Sequence, residues 1–138
     1  MSAILNTKVI TQERVLFEGQ AERLVVPAVN GYLGILPKHA PLMAALGNGV
    51  LKISVKKDNT YFAVFGGFLQ VKDNRVIILA DKAIAAANID LAEAEKDLSE
   101  LKISLESGGE GARDWHRLSR EIELARVRSK AALLAREK

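Results

Sequence analysis

The spacing of apolar residues changes once along this chain, near residue 88, and that change restricts the fold to a sheet followed by helices. Up to about residue 80 the dominant period is two. Thr7–Ile10, Arg14–Phe17 and Ala21–Pro27 read as strands, the first two separated by the polar Thr11-Gln12-Glu13. Val50-Leu51-Lys52-Ile53-Ser54-Val55-Lys56 alternates apolar with polar and is followed by Lys57 to Thr60 as a turn. Tyr61–Phe65, Phe68–Val71 and Arg75–Leu79 continue the pattern. Successive side chains on a strand point to opposite faces, so this period marks strands half-buried against a core. Asp73-Asn74 reads as a tight turn, since both residue types tolerate left-handed backbone, and Gly47-Asn48-Gly49 reads as another. Short strands at roughly 8–12-residue spacing predict an all-β sandwich over residues 1–87.

From Asn88 the period is helical. Leu91, Ala94, Leu98, Leu101 and Leu105 recur at intervals of three and four, a narrow seam of the coiled-coil type. Asp90 is the expected N-cap, with Glu93 three positions later completing a capping-box-like pair. Glycines in Ser107-Gly108-Gly109-Glu110-Gly111 end this helix, and a second follows. Helices are therefore expected over about 90–106 and 112–136, packed as an antiparallel hairpin that makes residues 88–138 a second unit. The second helix carries two apolar stripes: Trp115, Leu118, Ile122 and Ala125, then Leu124, Val127, Ala131 and Leu134. One neighbouring helix covers only one stripe. The other either packs on the sandwich or serves an alternative partner, and the sequence leaves both open.

Charge follows the same division. Residues 1–87 hold 10 basic and 6 acidic side chains, residues 88–110 hold 2 and 7, and residues 111–138 hold 8 and 4. An acidic helix beside a basic one attracts, although exposed pairs contribute only about 0.3–0.5 kcal/mol each. Such a hairpin is held without being permanent. The basic helix also invites a nucleic-acid reading, but its one aromatic, Trp115, lies on the apolar seam, so no stacking platform exists for bases.

Catalytic chemistry is hard to find. There are two histidines, His39 and His116, far apart in sequence, and no cysteine, which removes disulfides, thiolate metal sites and cysteine nucleophiles. Gly31-x-x-Gly34 and Gly66-Gly67 lack the Lys-Ser or Lys-Thr of a phosphate loop and read as turns and bulges in a sheet. No run of about 18 apolar residues is present to span a membrane, and Met1 to Val15 does not have the form of a secretory signal. All three prolines fall within Pro27 to Leu42, a segment with two glycines and little acid–base chemistry. Its role is to hold a shape that another molecule reads. On residues alone, a β-sandwich binding module whose hairpin recruits an acidic protein remains open; an enzyme ranks behind it, because no nucleophile–base pair is evident.

Gly31-x-x-Gly34-Ile35-Leu36-Pro37-x-His39-Ala40-Pro41-Leu42 resembles the signature of the epsilon subunit of F-type ATP synthases, equivalent to the mitochondrial delta subunit. Gly66-Gly67-Phe68-Leu69-Gln70-Val71-Lys72-Asp73-Asn74-Arg75-Val76-Ile77-Ile78-Leu79-Ala80 is similar to that family's other recurrent segment. The resemblance implies a non-catalytic central-stalk subunit of a proton-translocating synthase, at the cytoplasmic face of a bacterial membrane, with a plastid thylakoid as second choice. It implies a sandwich that docks on the gamma subunit and on the polar loops of the c-ring. The hairpin would either fold on the sandwich or extend into the catalytic alpha and beta subunits and inhibit ATP hydrolysis. Nucleic acid and direct membrane insertion have no part in this expectation.

Carried over by position, Asn30, Gly31 and Tyr32 are expected at the c-ring, where family members often have an acidic residue in place of Tyr32. His39, Leu42 and Met43 are expected at gamma. Arg117, Arg120, Arg126 and Arg128 have the sign to meet an acidic segment of the catalytic head. Some epsilon subunits bind ATP through Ile-Asp-x-x-Arg-Ala; here Ile89-Asp90-Leu91-Ala92-Glu93-Ala94 keeps Asp90 and Ala94 but has Glu93 in place of the arginine. An anion beside a triphosphate argues against ATP as a ligand, so no cofactor or metal is expected.

Overall fold

The computed structural model describes residues 4–106 and 112–136. Seven strands come first: β1 (Leu5–Ile10), β2 (Val15–Ala21), β3 (Arg23–Ala28), β4 (Gly31–Ile35), β5 (Leu42–Val55), β6 (Asp58–Lys72) and β7 (Arg75–Ala85). One turn of 3-10 helix, Ala86–Asn88, leads to α1 (Leu91–Glu106) and α2 (Ala112–Arg136). The strands are hydrogen-bonded in the order β2-β1-β7-β6-β5-β3-β4, with β1 and β7 parallel and every other pair antiparallel.

A continuous sheet becomes a two-layer sandwich because its long strands change their inward face half-way. In β6 the core takes Phe62 and Val64 from the first half but Leu69 and Val71 from the second. In β5 it takes Leu46, then Leu51 and Ile53; in β7, Val76, Ile78 and Ala80, then the half-buried Ala83 and Ala85. All three changes of parity fall on one line across the sheet, at Gly47, Gly66 and Asp81, with ladder pairs resuming on either side. Strands that turn such a corner need residues free to leave the ordinary β region. Gly66 and Gly67 supply this with φ of +70° and +126°, and a β-carbon on Gly67 would strike the Leu79 carbonyl.

This corner corrects two sequence expectations. Tyr61–Phe65 and Phe68–Val71 are halves of one strand, and Gly47-Asn48-Gly49 lies inside β5 instead of forming a turn. The β5–β6 turn is Lys56-Lys57 and not Lys57 to Thr60: Lys56 is left-handed, and Asp58, Asn59 and Thr60 already belong to β6. Part of the proline-bearing segment is also a strand: β4 pairs with β3 from Leu24↔Ile35 to Ala28↔Gly31. Asp73-Asn74 is the tight turn expected, both residues left-handed.

The sandwich and hairpin are as the two periods predicted. Asp90 Oδ1 accepts the Glu93 N–H at 3.1 Å, satisfying one of the donors that a helix start leaves free. Leu118, Ile122 and Ala125 are buried, whereas Val127, Ala131, Ala132 and Leu134 pack with Val50, Tyr61, Ala63, Phe65 and Ile84 on the outer face of the second layer. The second stripe of α2 therefore lies on the sandwich. Ala131 and Ala132 are fully buried, and their small side chains let the helix backbone approach the sheet. The expectations for Ser107 to Gly111, and for the side chains of Leu105 and Trp115, lie outside the described residues.

Candidate functional site

The helices cover the outer face of one layer only. On the other layer, strand register aligns Ala45, Phe68, Leu79, Ile10 and Val15 in one outward row, with Met43, Gln70, Ile77, Lys8 and Glu18 in the next. Met43 is 74% exposed, Phe68 60%, Leu79 43% and Ile77 39%. Burying one such side chain stabilises by about 1.5–3 kcal/mol, so a contiguous face of them left in water marks a surface that another molecule covers. Lys8 and Glu18, 3.8 Å apart, give its rim a polar margin.

Sequence reasoning placed only Met43 of this face. Phe68, Ile77 and Leu79 fall in expected strands without being assigned to a partner, yet a signal exists. Phe68-Leu69 and Ile77-Ile78-Leu79 are apolar in both phases, unlike the clean alternation of a strand with one wet face. The other two residues expected beside Met43 are less exposed. Leu42 is half-buried against the main core, and His39 donates through Nδ1–H to the Ala40 carbonyl at 2.8 Å. The loop bearing His39 is tied down by Lys38, whose N–H donates to Asn74 Oδ1 at 2.7 Å.

Val29 and Asn30 form the exposed turn between β3 and β4, and Gly31 and Tyr32 begin the return. Tyr32 does not simply point away. Its hydroxyl accepts the Val50 N–H at 3.1 Å, and Lys130 Nζ of α2 stands 5.8 Å from its ring centroid.

Between the helices, a crevice of about 420 Å³ is lined by Asp97, Glu100, Leu101, Ser104, Glu121, Leu124 and Arg128. A second, of about 210 Å³, brings Asp90, Glu93, Ala94 and Asp97 to Arg128 at the foot of α1. Arg128 thus faces the acidic helix, while Arg117, Arg120 and Arg126 lie on the exposed side of α2. Three carboxylates thus stand against one guanidinium in the smaller crevice, and Ala94 on its wall is buried. Among the described residues no cluster of histidine, aspartate and glutamate is arranged to hold a metal ion, and no helix is long and apolar enough to cross a membrane.

The family model for the ATP synthase, Delta/Epsilon chain, beta-sandwich domain matches residues 4–86. The ATP synthase epsilon chain of Leptospira borgpetersenii serovar Hardjo-bovis is 45% identical over 98 residues, covering 71% of this chain and 77% of its own. The chloroplastic epsilon chain of Pyropia yezoensis is 35% identical over 131 residues, covering 95% and 97%. A chain in the cryo-EM structure of the Euglena gracilis mitochondrial ATP synthase has the same fold, with a TM-score of 0.81 at 18% identity over 96% of this chain and 82% of that one. The family model and these relatives agree: the chain belongs to the Delta/Epsilon-chain family of ATP synthases.

Proposed function

We propose that this chain is the non-catalytic central-stalk subunit of a proton-translocating F-type ATP synthase, joining gamma to the c-ring and restraining ATP hydrolysis through its helices. The observation that carries the reading is the uncovered face of Met43, Phe68, Ile77 and Leu79 on a chain of this family. That face, together with His39, is the gamma-docking surface; Leu42 supports it from within. Asn30, Gly31 and Tyr32 form the c-ring contact, and attachment to the membrane is peripheral, through those partners. Arg117, Arg120, Arg126 and Arg128 meet the catalytic alpha and beta subunits when the hairpin extends. ATP does not act as a tight ligand at Asp90 and Ala94.

Co-purification with gamma tests the docking surface. Phe68→Asp places a charge in the middle of an exposed row and should leave the melting temperature within a few degrees of wild type while abolishing the complex. A Phe68→Asp chain that binds gamma as well as wild type refutes the assignment of this face.

A further inference from the structure

We propose that Tyr32 couples the β3–β4 turn to the folded state of the hairpin: its ring holds Lys130 of α2, and the hold strengthens when a partner buries the turn. The proposal rests on reading Asn30, Gly31 and Tyr32 as the c-ring face.

The ring is fixed from below. Its hydroxyl takes the Val50 N–H, and a β-carbon on Gly49 would fall on that hydroxyl and on Pro27 Cβ. Tyr32 thus lies down on the sheet because residue 49 has no side chain. The ring is engaged from above by the Lys130 ammonium, 5.8 Å from its centroid, within the range where a cation is drawn to an aromatic face. Lys130 directly precedes Ala131 and Ala132, the fully buried residues at which α2 rests on the sandwich. Val25, Lys52, Tyr61 and Leu134 line the same cleft, of about 280 Å³.

The sign of the coupling follows from solvation. Tyr32 is still 50% exposed, so water now screens the pair. A cation–aromatic contact is worth about 0.5–1 kcal/mol when exposed and about 2 or more when desolvated. A partner that covers the remaining half of the ring removes that water and makes release of α2 more costly. By reciprocity, a hairpin held down favours burial of the turn by the same factor. The c-ring contact therefore acts against extension of the hairpin, the state expected to inhibit.

Amide hydrogen exchange over residues 127–136 tests this, in the full-length chain free and bound in a gamma–c-ring complex. In the free chain, Tyr32→Leu and Lys130→Met should each speed exchange about two- to fivefold, with the double variant no faster than either. In the complex the same penalty should grow to about thirtyfold. Unchanged exchange over β6 controls for folding, and Lys130→Met, on an exposed helix position, stands even if Tyr32→Leu disturbs the turn. Multiplicative effects in the free chain, or an equal penalty in both settings, overturn the coupling. A crosslink from Asn30→Cys to the c-ring separates the two layers of inference. Without it the c-ring reading falls and takes the proposal with it. If it forms while the penalty stays constant, the coupling alone is wrong.

Discussion

Arg136, in the last turn of α2, reaches back 47 residues to Ile89: its Nη2 donates to the Ile89 carbonyl at 3.4 Å while Nη1 donates to the Ala132 carbonyl of its own helix at 2.9 Å. The guanidinium thus caps one helix and grips the linker from which the other starts. A cation at a helix C-terminus is also favoured by the helix dipole. The end of the hairpin is thereby fastened to its beginning.

Removing that clasp should loosen the hairpin without touching the sheet. Arg136→Ala is expected to cost about 1 kcal/mol and to raise amide exchange in the last two turns of α2 about fivefold. The melting temperature of the sandwich should stay the same. Exchange at the wild-type rate would mean that the clasp is not formed in solution.

Docking of α2 depends on a dry, close approach at Ala131. Ala131→Asp inserts a carboxylate there and should destabilise the docked helix by more than about 3 kcal/mol, freeing it from a sheet that remains folded. Sheet resonances in NMR spectra should persist, with those of Val50, Ala63 and Phe65 shifted. Loss of the whole spectrum would show instead that the sandwich needs the helix in order to fold.

The corner of the sheet gives a paired test. Gly67 and Gly31 have nearly the same φ, +126° and +123°, but a β-carbon at Gly31 meets nothing within 4 Å whereas one at Gly67 meets the Leu79 carbonyl. Gly31→Ala should cost about 1 kcal/mol from backbone strain alone. Gly67→Ala should cost at least about 2 kcal/mol more. Urea titrations compare them directly, and equal midpoints would contradict the corner geometry.

The arginines of α2 should act on the brake and not on assembly. Alanine at Arg117, Arg120, Arg126 and Arg128 together is expected to raise ATP hydrolysis of the reconstituted enzyme while gamma still co-purifies. Arg128 is the exception within the set, because in the folded hairpin it lies against Asp97 and Glu100. Its single substitution should also loosen the α1–α2 contact. Full inhibition by the fourfold variant would remove these residues from the inhibitory contact.

For ATP, calorimetry should find a dissociation constant in the millimolar range or weaker. Glu93→Arg replaces an anion by a cation in the small crevice and should tighten binding at least about tenfold, the effect of one charge-assisted hydrogen bond. Micromolar affinity of the unaltered chain would overturn the electrostatic argument.

What the sequence determined by itself was local or periodic: strands where the period is two, helices where it is 3.6, the Asp73-Asn74 turn, the Asp90 cap and the two stripes of α2. Each follows from backbone preferences and side-chain direction within a few residues. The family resemblance was legible for the same reason, carried by short runs of glycine, proline and apolar residues. Only the tertiary structure decided the rest. A strand that changes its inward face at Gly66 has the same local pattern as two strands with a break, so the sandwich corner was hidden. The face of Met43, Phe68, Ile77 and Leu79 exists because three strands, β5, β6 and β7, are held in register by the sheet. Whether the second stripe of α2 meets the sheet, and whether Lys130 meets Tyr32 across 98 positions, depends on packing free energies between distant segments. No local pattern encodes these, because both outcomes place the same residues on the same face of the same helix.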